Sequence, residues 1–142
     1  MKISTKGRYA IRFMVDLSEH CSDSPVKIKD IAKRQALSEK YLEQIASILN
    51  KADMIRSIRG PQGGYMVNVD PSECTVGSIL RLTESKTAIV NCLEETPTCN
   101  RMDVCKTRKV WQKLDTVIAD LADNITIKDI IEDTIDEKCE LL

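Results

Sequence analysis

The chain has 142 residues, 42% hydrophobic and 30% charged, which fits one globular domain and excludes a disordered polymer. No apolar run approaches the ~18 residues of a spanning helix, and no signal-peptide-like segment opens the chain, so a cytoplasmic protein with no membrane partner is expected. The net charge of −1 hides a polarity: twelve Lys+Arg against eight Asp+Glu in residues 1–70, nine against fourteen in 71–142, the pattern of a polyanion-binding head on an acidic body.

Ala10, Phe13, Met14 and Leu17 fall at i, i+3, i+4, i+7 and predict a helix from about Thr5 to His20. A loop at Cys21–Pro25 follows, then a short helix marked by Ile28, Ile31 and Ala32. Gln35-Ala36-Leu37 reads as a tight turn and Ser38 as the N-cap of a third helix, whose inner face is Leu42, Ile45, Ala46 and Leu49. Two alternating runs, Ile55–Arg59 and Tyr65–Val69, flank the turn Gly60-Pro-Gln-Gly-Gly64 and predict a β-hairpin. Val76, Ile79, Leu80 and Thr83 mark a fourth helix, and residues 85–102, with Pro97, read as a loop.

Helical periodicity resumes over 103–123, where Val104, Thr107, Trp111, Leu114, Ile118 and Leu121 step by threes and fours as an a/d seam does. Thr126-Ile-Lys-Asp129 has the capping form [ST]-x-x-[DE] and opens a short helix of Ile127, Ile130 and Ile131. Residues 136–142 read as a frayed acidic tail. The expected fold is mostly α with a small β-wing: a winged helix-turn-helix head over 1–84, a cysteine-bearing loop over 85–105, and a dimerisation helix with the C-terminal helix over 103–142.

In such a head the second helix of the pair enters the major groove with its N-terminal residues at base edges. Ser38, Lys40, Glu43 and Gln44 then face outward. Serine and glutamine can hydrogen-bond base edges, glutamate accepts from cytosine, and lysine meets phosphate or guanine. The wing carries Arg56 and Arg59 beside glycines that let backbone approach DNA closely. A three-helix bundle with solvated faces fits the helical pattern alone equally well; the Arg-Gly wing favours DNA. Tyr9 and Tyr41 read as half-buried packing, His20 as a surface residue at a helix C-terminus, and Trp111 as interface core. No Ser/His/Asp or Cys/His arrangement and no phosphate loop is present, which argues against an enzyme.

Six cysteines exceed what packing requires, and in a cytosolic chain they suggest metal or redox chemistry before disulfides. Cys92, Cys99 and Cys105 form C-x6-C-x5-C around the aperiodic loop. Thiolates suit zinc or iron–sulfur clusters, but the paired C-x2-4-C knuckles of structural zinc are missing. Cys105, near a helix start, is expected to have a lowered pKa. Cys21, Cys74 and Cys139 lie outside this spacing and read as packing.

These stretches together resemble the bacterial IscR-like iron–sulfur cluster regulators, a winged-helix repressor family with cysteine-metabolism and nitric-oxide-responsive branches. The resemblance is carried by Met1–Ala10 (MKISTKGRYA), Leu37–Gln44 (LSEKYLEQ), Ile58–Tyr65 (IRGPQGGY), the cysteine triplet and Asn124–Ile127 (NITI), and runs to about residue 131. It implies a homodimer joined by the long helix on a palindromic double-stranded DNA operator, regulating cluster-assembly genes. It makes Ser38, Lys40, Tyr41, Glu43, Gln44, Arg59 and Gly60 the DNA-contact candidates, with Glu43 also penalising wrong sequences by repelling phosphate. It implies an iron–sulfur cluster on Cys92, Cys99 and Cys105, [2Fe–2S] favoured over [4Fe–4S]. Relatives carry a ligating histidine three residues after the last cysteine, where this chain has Arg108, which has no lone pair to donate. The nitric-oxide branch uses a carboxylate near the N-terminus, where this chain has Arg8. The fourth-ligand candidates are Asp103, Glu94, Glu95, a partner-subunit residue or a small exogenous ligand. The alternative function is a cysteine-metabolism or nitric-oxide/redox-responsive repressor acting through a partner protein or another signal.

Overall fold

The computed structural model describes residues 3–94 and 99–136. Helix α1 (Thr5–His20) runs through the centre of the head and presents Ala10, Phe13, Met14 and Leu17, all fully buried. Helices α2 (Ile28–Gln35) and α3 (Glu39–Lys51) pack on one side of it, and Leu42, Ile45, Ala46 and Leu49 of α3 are all 0% exposed. The spacing of these apolar residues is therefore also the inner face of each helix.

The α2–α3 turn is closed by Ala36 in the left-handed region at φ 53°, with Leu37 N–H donating to Ala32 O at 2.9 Å. A Cβ in that region costs about 1 kcal/mol, so glycine is the usual residue there. The last turn of α2 is held by a buried carboxylate. Asp16, 1% exposed, accepts from Arg34 Nε at 3.0 Å, Arg34 Nη2 at 2.6 Å and Gln35 Nε2 at 2.8 Å. Arg12, from the same helix, donates to Gln35 Oε1 at 3.0 Å and to the Gln35 carbonyl.

Strands β1 (Ile55–Ile58) and β2 (Gly64–Val67) pair antiparallel in the register Ile55↔Val67 and Ser57↔Tyr65. Gly60, at φ 109°, makes the turn between them. The outer edge of β2 is also covered: Val26 and Tyr65 exchange two backbone hydrogen bonds of 2.9 Å, so the segment entering α2 lies beside the wing. Gly64 is required there, because a Cβ would collide with the Val26 carbonyl.

Helix α4 (Val76–Thr83) packs against α1, with Ile79 buried between them. A single 3-10 turn, Asn91–Leu93, interrupts the following loop. Helix α5 (Arg108–Asn124) begins five residues later than the periodicity predicts. Residues 101–104 form turns, Thr107 takes the N-cap position, and Val104 is 70% exposed rather than on a seam. Thr107 makes no side-chain capping bond; its hydroxyl pairs with Cys105 Sγ at 3.3 Å. Helix α6 (Ile127–Ile131) has both halves of its capping box and returns to the head: Ile127 is fully buried and its N–H donates to Cys74 O at 2.8 Å. Among the described residues no helix is long and apolar enough to cross a membrane.

Candidate nucleic-acid interface and cysteine segment

With Leu42, Ile45 and Leu49 turned inward, Ser38, Lys40, Glu43 and Gln44 are exposed together on the outer face of α3. Ser38 occupies the N-cap position without a side-chain capping bond, so its hydroxyl is uncommitted to the helix. Tyr41 is half-buried, edge-on to Tyr9 at 5.8 Å between ring centroids and 89° between planes. Arg12 stacks over the other tyrosine ring of this pair, 5.3 Å from the Tyr9 centroid. The start of α1 and the start of α3 thus share a hollow of about 510 Å³, walled by Thr5 and Tyr9 on one side and Ser38, Lys40, Tyr41 and Gln44 on the other.

A second hollow, of about 530 Å³, lies between α3 and the wing and is lined by Ser47, Asn50, Arg56, Ser57, Arg59 and Tyr65. The wing therefore brings Arg59 beside α3, next to Gly60 at the turn. Ser47 and Asn50 were not singled out from the sequence. Their signal is the helical step itself: they follow Glu43 on the exposed stripe at i+4 and i+7.

Asp16 was missed for a different reason. It reads as an ordinary surface acid, yet it lies one position from Leu17 on the buried side of α1. Burial by itself would raise its pKa; hydrogen bonds from Arg34 and Gln35, with the Arg34 charge, outweigh that and hold the carboxyl below the usual range. His20 is exposed as expected and sits on this network, its Nδ1 2.7 Å from the Asp16 carbonyl.

The cysteine segment runs between α4 and α5. Cys92 is half-buried in the 3-10 turn, Cys99 is exposed, and Cys105 is half-buried just before α5; all three are free thiols. The Cys105 thiol is held low chiefly by a hydrogen bond with Thr107 Oγ1 at 3.3 Å, with further help from the Arg108 and Thr107 backbone N–H groups and the Arg101 charge. Cys74 is the opposite case: burial pushes its thiol up, as expected of packing. Cys139 lies outside the described residues.

Among the described residues no three His, Cys, Asp or Glu side chains are gathered closely enough to hold a metal ion. The three thiols are neighbours in the chain but not preassembled. Their chemistry still fits a sulfur-ligated cluster: three accessible sulfurs within fourteen residues, one with its pKa held below the ordinary thiol value. Arg108 adds a buried Nε with no hydrogen-bond partner among the described residues, a donor suited to anionic sulfur. Of the fourth-ligand candidates, Asp103 is exposed, Glu94 is half-buried, and Glu95 lies outside the described residues. The loop is tied back to α5 by Ile89 N–H donating to Asp115 Oδ1 at 2.9 Å. Where it leaves α4, a cleft of about 450 Å³ opens between α4 and α5, lined by Leu80, Glu84, Lys86, Glu94, Asp115 and Ile118 among others.

The chain also has known relatives. Residues 3–133 match a family model described as "Rrf2: Iron-dependent Transcriptional regulator". The chain is similar to Protein rrf2 of Nitratidesulfovibrio vulgaris, 39% identical over 94% of this chain and 89% of that one. It is also similar to the HTH-type transcriptional regulator IscR of Vibrio campbellii, 35% identical over 94% and 79%. Its structure resembles that of CymR, the global cysteine regulator of B. subtilis, with a TM-score of 0.77 and 34% identity over 93% of this chain and 97% of that one. IscR and CymR are named as regulators, as is the matching family. The chain is a winged-helix, DNA-binding transcriptional regulator and belongs to the Rrf2 family.

Proposed function

We propose that the protein is a homodimeric, cytoplasmic repressor whose affinity for a palindromic operator is set by an iron–sulfur cluster held by Cys92, Cys99 and Cys105. The observation that carries this reading is the triplet of free thiols between α4 and α5 in a chain of an iron-dependent family. When bound, the cluster supplies a centre that is gained or lost with iron supply and oxidants. The protein's own part is to present the three sulfurs and to read DNA. Ser38, Lys40 and Gln44 meet base edges and phosphate, and Glu43 accepts from cytosine and repels misplaced phosphate. Tyr41 braces the start of α3 against Tyr9, while Arg59 reaches phosphate or a narrow minor groove as Gly60 lets the wing backbone approach. On the resemblance to IscR-like regulators, the proposed targets are cluster-assembly genes and the favoured cluster is [2Fe–2S].

Anaerobic purification followed by iron and sulfide analysis tests this reading. Brown protein with stoichiometric iron and sulfide supports it; colourless, iron-free dimer that still binds operator overturns it. The likeness to CymR and the Arg108 substitution favour a second reading, a cysteine-metabolism repressor that answers to a partner protein, and the colourless outcome would select it.

A further inference from the structure

Helix α1 begins with half of a capping box. Ser4 is the N-cap and its Oγ accepts from Gly7 N–H at 3.0 Å. A complete box needs an acidic or amide side chain at the third helical position to reach back to the N-cap N–H. That position is Gly7, which has no side chain. The missing carboxylate arrives from 80 residues away: Glu84 Oε1 accepts from Ser4 N–H at 3.0 Å and from the Ser4 hydroxyl at 2.7 Å. Glycine at position 7 is the complement of this arrangement, because a Cβ there would collide with Glu84 Oε1 and crowd Leu80. A carboxylate is also the favourable charge at a helix N-terminus.

Glu84 is the C-cap of α4, so it is the residue from which the cysteine segment departs, and it lines the cleft beside Lys86 and Glu94. The first two turns of α1, whose end it caps, carry Thr5 and Tyr9, which wall the same hollow as Ser38, Lys40, Tyr41 and Gln44. One side chain therefore joins the root of the cysteine segment to the wall of the DNA-reading face.

We propose that Glu84 is a positioning residue that caps α1 from α4 and thereby couples the conformation of the cysteine segment to operator binding; this rests on the reading of that segment as the sensing element. Moving the loop root withdraws the carboxylate, frees the Ser4 N–H and hydroxyl, and loosens the wall that supports Tyr41. The coupling is an energy difference between two arrangements, so it must show as non-additivity.

The test is a double-mutant cycle on the full-length protein, combining Glu84→Ala with the triple variant Cys92→Ala/Cys99→Ala/Cys105→Ala. The readouts are anisotropy titration of an operator duplex selected on the wild type, and hydrogen exchange of the Ser4 amide. Expected results are faster exchange of the Ser4 amide in Glu84→Ala, and an operator affinity shift of about fivefold or more between wild type and the triple variant. That shift should vanish in the Glu84→Ala background and survive in Glu84→Gln, which keeps an acceptor for Ser4. A helical cap with a purely structural role would lower stability without abolishing the shift. If Glu84→Ala does not fold, Glu84→Asp, one methylene too short, takes its place. A shift of equal size in both backgrounds overturns the role of Glu84 alone. A triple variant that binds as wild type overturns the sensing reading and this inference with it.

Discussion

At the scale of single residues, the buried Asp16 carboxylate and the exposed Arg59 guanidinium do different work. Asp16 joins α1 to the end of α2 through Arg34 and Gln35, so Asp16→Asn leaves Arg34 without its anion. Arg34 is 33% exposed, which screens part of the pair, and a loss of about 2–3 kcal/mol is expected in urea unfolding at neutral pH. Because the folded carboxyl lies below its ordinary pKa, the ionic contribution is present above about pH 4 and is lost as the pH falls through the lowered value. The gap between wild type and variant should therefore close in acid; a gap independent of pH between about 2 and about 7, from roughly two units below to three above the usual aspartate value, would contradict an ionised Asp16. Arg59, at the wing, acts on the partner instead. Arg59→Ala should weaken operator and random DNA alike and flatten the log–log salt slope by about 0.9, one phosphate's worth of released counterion. An unchanged slope in a folded variant removes Arg59 from the interface.

At the scale of elements, the α2–α3 turn is the strained piece, with Ala36 where glycine is usual. Ala36→Gly should raise unfolding stability by about 0.5–1 kcal/mol without altering DNA affinity, as read by parallel thermal melts and operator titrations. A destabilised variant would mean that the Ala36 methyl contributes packing that outweighs its backbone strain. The helices α1 to α4, the hairpin and the α6 capping box were legible in the sequence because each is written in local spacing: Phe13 to Leu17, Leu42 to Leu49, Thr126 to Asp129. What was not legible depends on distant partners. The Val26–Tyr65 bridge, the Asp16–Arg34 pair and the Glu84–Ser4 cap join residues 18 to 80 positions apart and leave no periodic trace. The apolar spacing extends through Val104 and so predicts α5 from Asp103, whereas the helix starts at Arg108 and Val104 is left exposed in the preceding turns. The DNA face was foreseen as a set of outward positions, but its two hollows, and the membership of Ser47 and Asn50, come from how α1 and the wing flank α3.

At the scale of the whole molecule, α5 leaves Val110, Trp111, Leu114 and Val117 exposed at 37–52%, a continuous apolar strip on a helix with no fully buried residue. A second copy of the chain is the occupant proposed for it, and two heads so joined would read half-sites about 34 Å apart or a multiple of that spacing. Leu114→Asp should convert the dimer to monomer in light scattering and lower operator affinity with it; a wild type that is monomeric at micromolar concentration would remove this architecture. The central claim is that the three thiols of the cysteine segment carry the cluster that governs DNA binding. Its most direct test is cluster absorbance measured beside operator titration for Cys92→Ala, Cys99→Ala, Cys105→Ala and Arg108→Ala, all purified anaerobically. The account predicts that each cysteine variant is a folded, colourless dimer whose operator affinity shifts in one common direction, while Arg108→Ala keeps its chromophore. A full cluster in any single cysteine variant, or its loss in Arg108→Ala, would contradict it.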